Sequence, residues 1–190
     1  MISIPGFSMS GHGLQWREMV KKLTRAEVEI IAASGGSLSG ETLSDIDLSG
    51  VDLSGVDFGN ADLRYANLGG ADLSRANLSR ANLGGANLGG SRLHHTNFRN
   101  ADLRWSVLTN VDAMSADFRG AGLLESDLSK GSFNSADFSK SDLRRTVING
   151  ASLLNVNFEE ANLAMSDLSG SYASGASFDG ANTYGTTIPG

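Results

Sequence analysis

The side chains best suited to chemistry in this chain are three histidines, numerous serines and a long series of aspartates. His94 and His95 are adjacent, and His12 stands far from them. Two neighbouring imidazoles are a start towards a metal site, but no acid or thiol falls at a matching position to complete one, so a solvated pair is expected. No serine lies in a Gly-x-Ser-x-Gly turn, which argues against a hydrolase nucleophile. Gly84, Gly85, Gly89 and Gly90 do not lie between a strand and a helix, as a phosphate-binding loop requires. The aspartates are spread along the chain and form no closed acid–base pair. Cysteine is absent, which removes disulfides, thiolate catalysis and cysteine-bound zinc. The expectation is a protein with no catalytic residue, no metal site and no cofactor.

What spaces these residues so evenly is a repeat. Positions 38 to 178, taken in steps of five, give 29 consecutive units without insertion or deletion, and each centre is Leu, Phe or Ile except Ala113 and Ala173. Two residues before the centre stands a small or β-branched residue, as in Ala61, Ala66, Ala71 and Ala76. One residue before it stands Asp or Asn, as in Asp62, Asn67, Asp72 and Asn77. A period of five suits neither a helix nor a flat strand. It suits a chain that turns a corner after every unit, so that four units close a square coil and residues twenty apart stack about 4.8 Å from each other. Positions 58, 78, 98, 118, 138, 158 and 178 are Phe, Leu, Phe, Phe, Phe, Phe and Phe, an independent twenty-residue recurrence. Glycines at 50, 70, 90, 150 and 170 keep the same phase and suit tight corners.

The unit A(D/N)LXX in unbroken phase resembles the pentapeptide-repeat family over roughly residues 36–188. The resemblance implies an all-β solenoid, a right-handed quadrilateral β-helix here of about seven coils, with the centre and the residue two before it pointing inward. The chain is accordingly divided into an amino-terminal segment, 1–35, carrying a short α-helical cap, and a β-helix over 36–190. Within the segment, Trp16, Met19, Val20 and Leu23 have helical spacing, and Thr24 to Glu27 reads as a capping box opening a second short helix that stops at Gly35 and Gly36. A solenoid end needs such a cover for its apolar core and strand edges.

Charge narrows the function. The net charge of −6 tells against a general nucleic-acid binder. Some pentapeptide-repeat proteins mimic DNA, bind DNA gyrase and protect it from quinolones, which makes gyrase the alternative target. Yet at the two outward positions that the fold leaves free, five acids (Asp45, Glu125, Glu159, Glu160, Asp179) stand against ten bases, among them Arg75, Arg80, Arg99, Arg119 and Lys140. A DNA mimic should favour acid there. The wall centred on Leu43, Leu63, Leu83 and onward collects Arg64, Tyr65, Arg104, Trp105, Leu124, Arg144, Arg145 and Met165, residue types enriched at protein interfaces. The leading expectation is therefore a non-enzymatic scaffold presenting this wall to a protein partner, with a secreted bacterial effector module as a further alternative. The carboxy-terminal coil has no helical cover, so Phe178, Tyr184 and Ile188 are expected to form the contact of a homodimer. Residues Met1–Ser10 lack a Sec-type leader and no stretch is long and apolar enough to cross a membrane, pointing to the cytoplasm.

Overall fold

A computed structural model describes residues 22–187. The chain enters through one helix, α1 (Arg25–Ala33), and thereafter winds as a coil of short strands joined by tight turns. Every strand pairs in parallel with the one twenty residues later, from Ser37 with Asp57 to Asp167 with Thr187. The result is a right-handed quadrilateral β-helix. Its first wall is centred on 38, 58 and onward, the second on 43 and 63, the third on 48 and 68, the fourth on 53 and 73.

Three backbone hydrogen bonds per unit tie each coil to the next, as in Leu38 N–H to Asp57 O at 2.8 Å, Gly40 N–H to Gly59 O at 2.9 Å and Asp62 N–H to Glu41 O at 2.9 Å. The core is a stack of unit centres interleaved with small residues, and Leu63, Ala66, Leu68 and Ala71 are all fully buried. A narrow square has no room for two large side chains per unit, which is why Ala alternates with Leu. Where Ser or Thr takes the small inward place, its hydroxyl, Ser91 excepted, donates to a carbonyl: Ser106, Ser126, Ser141 and Thr146 each reach the carbonyl three residues earlier at 2.6–2.7 Å. That satisfies a polar group that would otherwise be costly inside. The phenylalanine column stacks as the sequence predicts, with ring centroids 4.8 Å apart for Phe98 and Phe118 and 4.5 Å for Phe118 and Phe138.

The corners are type II turns. The fifth residue of each unit is left-handed throughout, at Gly40, Gly50 and Gly55 but also at Tyr65, Arg75, His95, Trp105 and Met165. Glycine adopts this conformation freely, whereas other residues do so at a cost of about 1–2 kcal/mol. The sequence reading placed five corner glycines correctly. Eighteen non-glycine residues hold the same geometry because the ladders on either side impose it.

The second amino-terminal helix is present. Thr24 and Glu27 form the reciprocal capping box. Gly35, left-handed at φ 69°, ends the helix with Gly36 N–H donating to Ile31 O at 2.9 Å, and Ser37 then enters the first coil. Val28 is fully buried against the open coil, with Leu23, Ile31 and Ala32 packed beside it. That coil presents carbonyls towards the cap, and Lys22 and Arg25 donate to Ser44 O and Ser49 O, each at 3.0 Å. Trp16, Met19 and Val20, read as an earlier helix, lie outside the described residues.

One core irregularity lies at Ala113, a small unit centre whose gap is expected to take either the Phe133 ring or an inward Met114. Met114 is exposed, and Phe133 is the one that is fully buried. The Phe133 ring meets Phe118 edge-on at 6.2 Å and Phe138 at 5.6 Å, spanning two coils.

Candidate functional site: the second wall

The outward residues of a unit follow from its geometry. The Asp or Asn before the centre bends back to accept from the backbone N–H two residues on, as Asp47 does from Ser49 at 3.0 Å and Asp57 from Gly59 at 3.0 Å. These Asx turns hold Asp47 and Asp57 below the ordinary carboxylate range, the backbone N–H being the main cause. Asn adds a rung: Asn67 donates to Asp47 at 3.0 Å and Asn87 to Asn67 at 3.0 Å.

On the second wall the carboxylate carries a further partner. Arg64 grips Asp62 with Nε–Oδ1 2.8 Å and Nη2–Oδ2 2.7 Å. Arg104 grips Asp102 at 2.8 and 2.6 Å, and Arg144 grips Asp142 at 2.7 and 2.6 Å. These side-chain hydrogen bonds push all three carboxyls down. The Asp-Leu-Arg triplets stand at 62–64, 102–104 and 142–144, forty residues apart, so the clamp recurs on every second coil. Between them come Asn82-Leu83-Gly84, Gly122-Leu123-Leu124 and Asn162-Leu163-Ala164.

The large side chains lie along this frame. A Cβ at Gly85 would sit 2.6 Å from the Tyr65 ring, so that ring lies over the glycine of the next coil. Met165 lies over Gly185 in the same way. Trp105 donates from Nε1 to Glu125 Oε2 at 3.2 Å, Arg145 reaches Glu125 Oε1 at 3.3 Å, and the Arg104 guanidinium stands 5.2 Å from the Trp105 ring centroid. Tyr65, Trp105 and Met165 nevertheless remain 67%, 54% and 56% exposed. Of the residues singled out in the sequence, Trp105 and Arg145 thus meet at one carboxylate with Arg104 standing by the Trp105 ring, Leu124 and Arg144 lie in the adjoining coils, and Arg64 with Tyr65 stands two coils below. Sequence reading missed Glu125 and the three clamped aspartates. The forty-residue recurrence of Asp-Leu-Arg was the signal available for the clamps.

On the fourth wall the histidine pair needs a correction. An acid does stand at a matching place: His94 Nε2 lies 2.7 Å from Asp112 Oδ2, within ion-pair distance though without hydrogen-bond geometry. The reason is stacking, since Asp112 precedes the next centre on the same wall. No group of three or more potential metal ligands converges among the described residues. At the carboxy-terminal end, Leu168, Phe178, Ala181, Thr183 and Thr186 line an opening of about 240 Å³ beside the exposed Tyr184, while Ile188 lies outside the described residues. No described helix is long and apolar enough to cross a membrane.

The sequence profile of pentapeptide repeats matches residues 43–80, 76–112, 114–150 and 151–182. This chain belongs to the pentapeptide-repeat family. Among solved pentapeptide-repeat structures, it is similar to HetL, involved in heterocyst differentiation regulation in the cyanobacterium Nostoc sp. strain PCC 7120. The identity is 29%, over 81% of this chain and 75% of that one, with a TM-score of 0.35. A pentapeptide-repeat protein of the Arabidopsis thaliana thylakoid lumen is 30% identical over 57% of this chain and 69% of its own, with a TM-score of 0.40. QnrB1, a plasmid-mediated fluoroquinolone resistance protein, is 20% identical over 88% of this chain and 89% of its own, with a TM-score of 0.40. No significant match is found among curated proteins.

Proposed function

We propose that this pentapeptide-repeat protein is a non-enzymatic interaction scaffold whose second wall receives a protein partner. The observation that supports this most is the set of large, exposed side chains held down by partners on that wall: Tyr65 over Gly85, Trp105 on Glu125 and Met165 over Gly185. Side chains already fixed lose little freedom when a partner arrives. The clamps also argue against a DNA-mimicking surface, because guanidinium groups cover Asp62, Asp102 and Asp142, and Arg119 covers Asp117. Their negative charge is thereby withdrawn from any array resembling phosphates. The test is partner capture by the intact protein and by a Tyr65→Ala, Trp105→Ala, Met165→Ala variant, alongside gyrase supercoiling assays with and without ciprofloxacin. Capture lost in the variant, with gyrase unprotected, supports the reading; capture indifferent to the variant, or protection of gyrase, overturns it.

The open end supports a second element of the same proposal, a homodimer. In the last coil, Ala176 O and Phe178 N–H, and likewise Ala181 O and Thr183 N–H, find no backbone partner among the described residues. Each strand edge thus offers one acceptor and one donor outward. A two-fold axis across this end would set two copies antiparallel, each acceptor meeting the other copy's donor.

A further inference from the structure

The second wall has a repeat length as well as a chemistry. Its clamp and large corner residue recur every second coil, at Tyr65, Trp105 and Arg145, each forty residues from the last. Two coils span about 9.6 Å at the usual strand spacing of about 4.8 Å. Both aromatic residues point the same way: Tyr65 lies forward over the Gly85 coil, and Trp105 reaches forward to Glu125 in the coil after its own. Their separation of two coils is therefore preserved at the surface. Val107, 38% exposed, flanks Trp105 around the corner. Formal charge cancels from Asp62 to Arg145, Arg64, Arg104, Arg144 and Arg145 being set against Asp62, Asp102, Asp142 and Glu125, and one coil below Tyr65 the Asp45 carboxylate stands 3.6 Å from Lys22 Nζ. The strip offers two aromatic rings, two coils apart, with little net field.

Regular polypeptide conformations differ in the interval at which one face returns. An extended strand returns every second residue, about 6.8 Å, which matches neither one coil nor two. An α-helix returns after seven residues, about 10.5 Å, and slips about 0.9 Å over the one step from Tyr65 to Trp105. Polyproline II returns after three residues, about 9.3 Å, and slips only about 0.3 Å over the same distance. It is also recognised through aromatic side chains and arrives already ordered. A ligand without charge suits a strip whose charges cancel.

We infer that the second wall binds a proline-rich segment in the polyproline II conformation, lying along the solenoid axis with every third residue seated on Tyr65 and then Trp105. This rests on the reading of that wall as a protein interface. The probe is decaproline, titrated into the intact protein carrying Trp16→Phe, which leaves Trp105 as the one tryptophan and its fluorescence as the readout. A Gly-Ser decapeptide and a β-1,4-linked hexasaccharide, whose two-sugar repeat is of similar length, serve as competitors for the same assignment. Saturable binding of decaproline alone is expected, weakened at least tenfold by Tyr65→Ala and, by calorimetry, at least tenfold by Trp105→Ala. Inserting a second copy of residues 81–100 after Asn100 adds one coil in phase, keeps a glycine over the Tyr65 ring and sets the two rings three coils apart; circular dichroism checks that the fold survives, and binding should fall at least tenfold although both rings remain. Absence of saturation with decaproline, preference for the hexasaccharide, equal binding by Tyr65→Ala, or unchanged affinity in a folded insertion variant would each overturn the inference. A partner that the wall substitutions release but decaproline does not displace leaves the interface standing and refutes the polyproline occupant. A partner insensitive to those substitutions refutes the interface itself.

Discussion

Gly131 offers a sharp test of how the core is packed. It occupies the inward place two residues before a centre, where neighbouring units carry Ala or Ser, and its backbone is not left-handed. A Cβ there would stand 2.5 Å from Phe133 Cε2, 2.9 Å from Cζ and 3.2 Å from Val111 Cγ2. The ring has little room to retreat, since it is wedged edge-on between Phe118 and Phe138. Two effects oppose each other in Gly131→Ala. Restricting the unfolded chain favours the variant by about 0.4–1 kcal/mol, while overpacking a filled core costs about 1–3 kcal/mol. Overpacking prevails, with a net loss of about 1–2 kcal/mol. For a chain of this size that lowers the melting temperature by about 2–8 °C. Denaturant midpoints and thermal melts by circular dichroism would measure it against Gly122→Ala, whose added methyl meets nothing closer than Arg104 Cγ at 4.0 Å. The control should be neutral or slightly stabilised. Adding Phe133→Leu to Gly131→Ala should recover most of the loss by restoring the ordinary unit. A Gly131→Ala protein as stable as the parent, or a double variant no better than the single one, would refute the packing argument.

Ala113→Leu should destabilise by about 1–3 kcal/mol through the same crowding, and Phe133→Leu should relieve it; a clear rise in melting temperature would contradict this. Acid should weaken the fold, because the Arg partners hold Asp62, Asp102 and Asp142 below their ordinary value of 3.8. Their contribution is complete above that value and disappears as pH falls through the lowered folded values. A triple Asp→Asn variant at these positions, measured by urea melts from pH 7 to pH 2, should show a shallower acid decline, and an unchanged decline would be the contrary result. Gly90→Ala, at φ 67° with open space around its Cβ position, should cost about 1–2 kcal/mol from backbone conformation alone, whereas Gly85→Ala should cost more because it also unseats the Tyr65 ring. Sedimentation should find a dimer for the intact protein and a monomer for Tyr184→Asp, Ile188→Asp; a monomeric parent or a dimeric variant counts against the end-to-end contact.

The register was legible because burial is periodic. Leu and Phe at every fifth place and the phenylalanines at every twentieth leave one way to wind the chain, and the stacked rings of Phe98, Phe118 and Phe138 follow from it. The capping box at Thr24 was equally plain, being a local pattern. Less was visible where a side chain answers to a neighbour twenty residues away. Gly85, read from the sequence only as a glycine outside any phosphate loop, makes room for Tyr65, and Gly120 stands likewise above Asn100. Gly131 looked unremarkable until Phe133 was seen to need its space. Arginines counted as free surface charge proved to be clasped by the aspartate two residues earlier, because the Asx turn aims that carboxylate along the wall. The wall residues were identifiable by type; their mutual contacts required coordinates.

Each coil is fastened to its neighbours by the same small set of backbone bonds, and among the described residues the one helical cap secures the amino-terminal end. Tension applied between the two termini would meet no single clamp shared by the whole molecule. It would peel the carboxy-terminal coil first, and every detached coil would release twenty residues, about 66–72 Å of extended chain. The force trace expected is a staircase of nearly equal steps, with the tread set by the perimeter of the square and the last riser at the helix. Mechanically, the protein is a spool that unwinds from one end.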